Sequence, residues 1–523
     1  MTKTNRRGSR LKRVLLVLAA VGATVVSTVA GAGLWLYTGA DVSTVGKVDF
    51  RNELLIPPLE EGEVRPDGTR VFRLGIRAGE TEFRPGRPTP TWGFTSPATA
   101  AADRWRGTYL GPTLRAERGE KVRVEVANRL DEPSTVHWHG MHLPAAMDGG
   151  PHQMVDAGGA WEPHWTVDQP AATLWYHPHP HGATERHVQR GLAGMFLVDD
   201  APARQLGLPD EYGVNDLPVV VQDVRFDGAR FDHGHRFLRN TGFLGDETMV
   251  NGTLAPYREV RDELVRLRLL NASTARVYDF GFADDRAFDL VATDGGLLGA
   301  PHRTDRLPLS PGERAEILVR MAPGERTVLR SSPPGGGDFW QSRFSGGDDS
   351  FDVLELRAAD TLRPAPDVPA RLADVELPDP ADASRERHFD LRMSGINGAP
   401  MAMDRIDATV ERGATEVWTV RNRDGVTHNF HVHDVQFRVL AVDGEAPPPE
   451  LRGRKDTVYV PSGREVKIAL RFDGPPDPDV PYMYHCHLLS HEDGGMMGQF
   501  VVVEPGGEAG RIPGGSSGGH AGH

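Results

Sequence analysis

Four His-x-His pairs are the residues most able to do chemistry: His137 and His139, His177 and His179, His431 and His433, His485 and His487. Two imidazoles at i and i+2 on a strand project to one face, so each pair offers two nitrogen donors to the same side. Two pairs fall early in the chain and two fall late. Eight imidazoles meeting between two domains are enough donors for a cluster of three metal ions. The single cysteine, Cys486, lies between His485 and His487. With His428, His491 and Met496 it makes a set of two imidazoles, a thiolate and a thioether. That set suits an electron-transfer copper with a weak axial methionine. The peptide through Cys486 would join that ion to the cluster by a few covalent bonds. One entry metal beside three others can gather the four electrons that dioxygen needs to become water.

These residues must be positioned by strands. Arg118-Gly119-Glu120-Lys121-Val122-Arg123-Val124-Glu125-Val126-Ala127-Asn128 reads as a turn followed by an alternating strand, the pattern of a half-buried β element. The unit recurs as Arg412 to Asn422 and, between them, as Asp262 to Asn271. His137 and His139 follow Asn128 by nine and eleven residues, and His431 and His433 follow Asn422 at the same offsets. The middle copy holds Phe280 and Phe282 there. The scaffold accepts apolar residues at those places, so the outer histidines serve something other than the scaffold. Closing strands recur at Gly194–Val198 and Gly498–Val503. The expected architecture is all-β, three consecutive Greek-key β-sandwich domains at 50–200, 216–360 and 386–505, followed by a disordered tail at 506–523.

The composition agrees, with 60 Gly and 41 Pro among 523 residues. The formal charge of -14 argues against a nucleic-acid partner, which needs a basic surface. Residues 1–40 differ: Lys3, Arg6, Arg7, Arg10, Lys12 and Arg13 precede an apolar run from Val14 to Tyr37. That run is long enough to span a bilayer, with the basic flank inside, and Ala30-Gly31-Ala32 offers a cleavage site. The segment is read as a signal peptide or a membrane anchor, which puts the folded part outside the cytoplasm, secreted or held at the outer face of the membrane.

The motifs His137-Trp138-His139-Gly140, Trp175-Tyr176-His177-Pro178-His179, His428-Asn429-Phe430-His431-Val432-His433 and His485-Cys486-His487-Leu488-Leu489-Ser490-His491 with Met496 resemble those of the multicopper oxidases over residues 50–505. The resemblance implies cupredoxin-like domains and four copper ions. His137 and His431 match type 2 ligands. His139, His177, His179, His433, His485 and His487 match the type 3 pair, and His428, Cys486, His491 and Met496 match type 1. Asp148 resembles the acid near the type 2 copper, and Glu492 resembles the acid that relays protons to reduced oxygen.

The layout is similar to bacterial laccases, bilirubin oxidases and cuprous oxidases. Asp424 matches a carboxylate of the cuprous branch, but Val426 stands where a methionine is expected and the 13 methionines are scattered. The resemblance therefore favours small phenolic or aryl-amine donors with dioxygen as acceptor. The alternatives are a cuprous oxidase or copper-resistance protein acting on Cu(I), and a copper-binding structural protein of the cell envelope. His142, His152, His164, His181 and His187 are expected at the surface or behind the ligands, and His520 and His523 in a solvated tail.

Overall fold

The computed structural model describes residues 5–105, 107–235, 241–335 and 339–512; the tail from residue 513, with His520 and His523, lies outside the described residues. The chain is all-β and forms three sandwiches in series. In the first, the sheet carrying Thr113–Glu117, Gly194–Asp199, Ala172–His177 and His137–His139 covers one built on Arg70–Arg84 and Lys121–Asn128. Phe72, Leu114, Val124, Trp138 and Phe196 fill the space between. The middle sandwich packs Val219, Leu267, Phe280 and Leu329, and the third packs Trp418, Phe430, Tyr484 and Phe500. Asn52–Glu53 adds to the middle sandwich beside Pro256, whereas Leu59–Glu60 joins the first.

The sequence repeat is a structural repeat. Lys121–Asn128, Leu264–Asn271 and Thr415–Asn422 each run parallel to the strand that opens their sandwich. Each ends in a buried asparagine that makes the same turn. Asn128 donates to the carbonyls of Glu132 and Val155, Asn271 to those of Arg276 and Leu309, and Asn422 to those of Val426 and Val460. In every copy the side-chain oxygen accepts from the backbone N–H two residues on. This asparagine satisfies the polar groups of the loop where the chain leaves one sheet for the other. It thereby sets where the next strand begins.

That next strand is His137–His139, Tyr278–Phe282 or His428–Val432. His137 lies directly opposite His177, and His431 opposite His485, while the middle copy sets Phe280 opposite Ser331. One pairing register therefore serves metal donors in two copies and core packing in the third.

At the N-terminus a helix runs from Asn5 to Thr38, and its stretch Lys12–Thr38 is long and apolar enough to cross a membrane. Its exit is fastened to the middle sandwich. Arg343 donates to the Tyr37 carbonyl, pairs with Asp41 and stacks on the Tyr37 ring, while Val42 N–H and Gly46 N–H donate to Asp349 and Asp352.

Candidate metal centre

The two outer sandwiches bring their histidines face to face. His137 stacks on His433 with ring centroids 3.9 Å apart, and His139 stacks on His431 at 3.7 Å. The pairing is crossed: the first histidine of one motif meets the second of the other, as a local two-fold relation between the repeats requires. His177 and His179 from one side and His485 and His487 from the other complete the group. All eight rings are 0–1% exposed.

Six of the eight rings are turned by a hydrogen bond on the outer side. His137 Nδ1 donates to the Asp148 carbonyl at 2.9 Å, and His431 Nδ1 donates to the Asp456 carbonyl at 2.9 Å. The Asp148 carboxylate accepts from His433 Nδ1 at 2.7 Å, and the Asp456 carboxylate accepts from His139 Nε2 at 3.0 Å. His177 Nδ1 donates to the Pro178 carbonyl and His485 Nδ1 to that of Cys486. With their protons committed outward, these six rings turn lone pairs inward, where His179 and His487 join them. His433 Nε2 is 3.2 Å from His485 Nε2, and His139 Nδ1 is 3.4 Å from His177 Nε2. His179 Nε2 is 3.1 Å from His485 Nε2, and His487 Nε2 is 3.4 Å from His177 Nε2. His137 Nε2 and His431 Nε2 have no hydrogen-bond partner among the described residues. Buried lone pairs turned on each other are costly unless a cation lies among them. The donor set therefore fits metal ions, with the tautomers already fixed.

A second group lies in the third sandwich. His428 Nδ1 and His491 Nδ1 are 3.1 Å apart, and Cys486 Sγ is 3.7 and 3.6 Å from them. Met496 is buried in the same core cluster, and its carbonyl accepts from Cys486 N–H. His428 Nε2 donates to Asp424 at 3.1 Å, leaving Nδ1 for a metal. Glu492, next in the chain to His491, reaches the histidine cluster, with one oxygen 3.3 Å from His179 Nδ1 and the other 3.1 Å from His485 Nδ1.

Burial sets the protonation states. It holds His139, His177, His431 and His433 well below the usual histidine range, and takes His179 and His487 down to about 3. Neutral imidazole is the form that binds metal. Burial pushes the Cys486 thiol up to about 12, so without a metal it is not a nucleophile at neutral pH.

The structure thus brings together all the expected ligand residues, together with Asp148 and Glu492. Sequence reasoning missed Asp456, Arg314 and Gly312. Asp456 is the third-sandwich counterpart of Asp148, and its carboxylate is gripped by both ends of the buried Arg314 guanidinium at 2.7 and 2.6 Å. Arg314 also donates to the Thr173 carbonyl in the first sandwich, so one middle-sandwich side chain holds both halves of the site. Gly312 (φ +87°) packs where a Cβ would meet His487 and His139 at 3.1–3.2 Å. Gly149 (φ +78°) beside Asp148 leaves no room for one against the Val136 carbonyl. No periodicity marks these residues, although Pro311-Gly312 ahead of the strand Arg314–Arg320 was an available turn signal. Of the unassigned histidines, His187 is a buried structural residue bonded to Glu132 and Ser134.

Removing Arg314 tests this frame. Arg314→Met leaves the buried Asp456 carboxylate unpaired and should lower the unfolding free energy by about 3–5 kcal/mol. Denaturant titration of metal-free protein reads the loss; an unchanged midpoint would mean the pair does not hold the interface.

Comparison with known proteins agrees with the geometry. Multicopper oxidase family models match residues 95–203, 175–327 and 368–506. A multicopper oxidase of Staphylococcus haemolyticus is 32% identical, over 87% of this chain and 93% of its own length. The cell division protein FtsP of Photorhabdus laumondii is 36% identical over 86% and 92%. Among solved structures, a laccase-like multicopper oxidase, CueO, from Ochrobactrum sp. matches with a TM-score of 0.76 and 35% identity, covering 86% of this chain and 100% of that one. A multicopper oxidase from Pediococcus acidilactici matches with a TM-score of 0.77 and 33% identity, over 88% and 93%. The sandwiches are cupredoxin-like, the centre is built to bind copper, and the chain belongs to the multicopper oxidase family.

Proposed function

We propose that the protein is a laccase-like oxidase. It couples four one-electron oxidations of phenolic or aryl-amine donors at a type 1 copper to reduction of dioxygen to water at a three-copper cluster. The observation that carries the reading is the environment of Cys486. Its sulfur faces His428 and His491, while its chain neighbours His485 and His487 face the other imidazoles. In this reading His428, Cys486, His491 and Met496 hold type 1 copper, and His137 and His431 hold type 2. His139, His177, His179, His433, His485 and His487 hold the type 3 pair. Bound copper supplies the storage and transfer of single electrons.

The protein's own groups do the rest. The backbone through Cys486 links the entry site to both type 3 positions by a short covalent path. Asp424 receives the outer proton of His428 and, being only partly buried, stands at the rim where a donor can approach. Water formation consumes protons, and Glu492, fully enclosed against His179 and His485, is placed as a carboxylate to accept a proton and pass it on. Asp148 orients His137 and His433 throughout.

The phenolic preference draws on the Ochrobactrum relative, which has oxidase activity towards lignin model compounds and lignosulfonate. Two other readings have support of their own. Asp424, which matches a carboxylate of the cuprous branch and bonds His428, favours Cu(I) as donor, and the name of the Photorhabdus relative favours a role in cell division. A purely structural role does not require the twelve buried donors described above. The N-terminal helix, fastened at its exit by Arg343, serves in this proposal as a retained anchor that holds the enzyme at the outer face of the membrane.

Oxygen uptake by copper-loaded protein separates these readings. Faster uptake with a methoxyphenol than with Cu(I), without peroxide accumulating, is the expected result. Faster uptake with Cu(I) would make the protein a cuprous oxidase, and no uptake with either would leave the structural role. Glu492→Gln should slow reoxidation by dioxygen at least about tenfold while anaerobic reduction of the type 1 copper keeps its rate. Unchanged turnover would remove Glu492 from proton delivery.

A further inference from the structure

The methionines that look scattered in sequence are not all scattered in space. Met401, Met403, Met483 and Met497 form a hydrophobic cluster of their own, with no other apolar residue type in it among the described residues. Met483 and Met497 are 1% exposed, Met401 is 9% exposed and Met403 is half-buried at the solvent side. A satellite core usually mixes leucine, valine and isoleucine, which hold better-defined rotamers. Four thioethers gathered together instead make a soft, polarisable and uncharged donor set, which selects Cu(I) over harder ions.

The position of the cluster adds to its chemistry. Across the closing strands of the third sandwich, Met497 pairs with His485 and Met483 with Gln499. Tyr482 and Tyr484 turn into the core, so both methionines lie on the sheet face that carries His485. The loop bearing Met401-Ala402-Met403 is strapped across this face. Gln499 donates to the carbonyls of Ala402 and Arg405 at 2.8 and 2.7 Å, and Met401 N–H donates to the Gly495 carbonyl at 2.9 Å. From the first sandwich His152 reaches over to Gln499 Oε1. At the inner end the Met483 carbonyl accepts from His433 N–H at 3.0 Å. The cluster therefore runs from the half-buried Met403 to the strands that carry His433 and His485.

We propose that these four methionines form a capture site for a soft monovalent cation, Cu(I), from which copper enters the cluster. The site is separate from the four coppers of the proposed oxidase and takes no part in its turnover. Binding stands on the thioethers alone, whereas the loading role rests on the proposed copper cluster.

Silver(I) is a redox-silent probe of the same softness. Added at one equivalent to fully copper-loaded, oxidised protein, it should bind with a sulfur shell in its X-ray absorption spectrum. Met401→Leu/Met403→Leu keeps the apolar packing but removes two donors. This variant should bind silver at least about tenfold more weakly and lose the sulfur shell, while keeping the blue absorption and phenol turnover that show it to be folded and active. The metal-free variant should also take up Cu(I) into the cluster about tenfold more slowly. Equal silver affinity in the two proteins, or a nitrogen and oxygen shell in the wild type, would overturn the site. Normal silver binding in the wild type with equal loading rates in both proteins would overturn the loading role. Loss of blue colour in wild-type protein before silver is added would count against the oxidase reading, not against the methionines.

Discussion

Eight buried imidazoles, six of them with an outer nitrogen already hydrogen-bonded, face one another across the seam between two sandwiches. That constraint organises the molecule. A neutral histidine has one proton to give, and the carbonyls of Asp148, Asp456, Pro178 and Cys486 and the carboxylates of Asp148 and Asp456 take it on the outer side of six of the rings. Among the inner nitrogens, those of His433 and His485 approach to 3.2 Å with no proton left to share. Cations placed among them resolve such a packing, and a network that orients the rings beforehand avoids the cost of ordering them when metal arrives.

The local two-fold relation explains how a duplicated unit builds an undivided centre. Asp148 serves His137 with its carbonyl and His433 with its carboxylate, and Asp456 does the same for His431 and His139. The two halves differ where chemistry demands it: Pro178 stands in the first copy where Cys486 stands in the third. They differ also in support, because Asp456 is gripped by Arg314. The middle sandwich has phenylalanines where the others have ligands, yet it supplies Arg314, the Gly312 wall and the carbonyl of Pro311 that holds Asn429 behind Cys486. Its contribution is position, not ligation.

This division also decides what the sequence could reveal. The ligand pairs were legible because strand pairing is periodic and Asn128, Asn271 and Asn422 set the same register three times, so a two-residue spacing became a shared face. Asp148 and Glu492 could be found because they fall at positions that the family resemblance marks. Asp456, Arg314 and Gly312 reach the site through contacts between sandwiches, at separations where no local pattern connects them. Arg314 and Asp456 are 142 residues apart. The methionine cluster is hidden in the sequence for the same reason. Met401 and Met497 are distant along the chain, and only the closing sheet and the strap from Gln499 bring them together.

The central claim is that these donors hold one mononuclear copper and one three-copper cluster. Copper analysis and electron paramagnetic resonance on the same oxidised sample test it most directly. The account predicts four coppers per chain, two with resonance signals, one of them the narrow hyperfine pattern of a copper–thiolate site, and two silent through mutual coupling. Copper that is fully visible by resonance, or a stoichiometry of one, would contradict it.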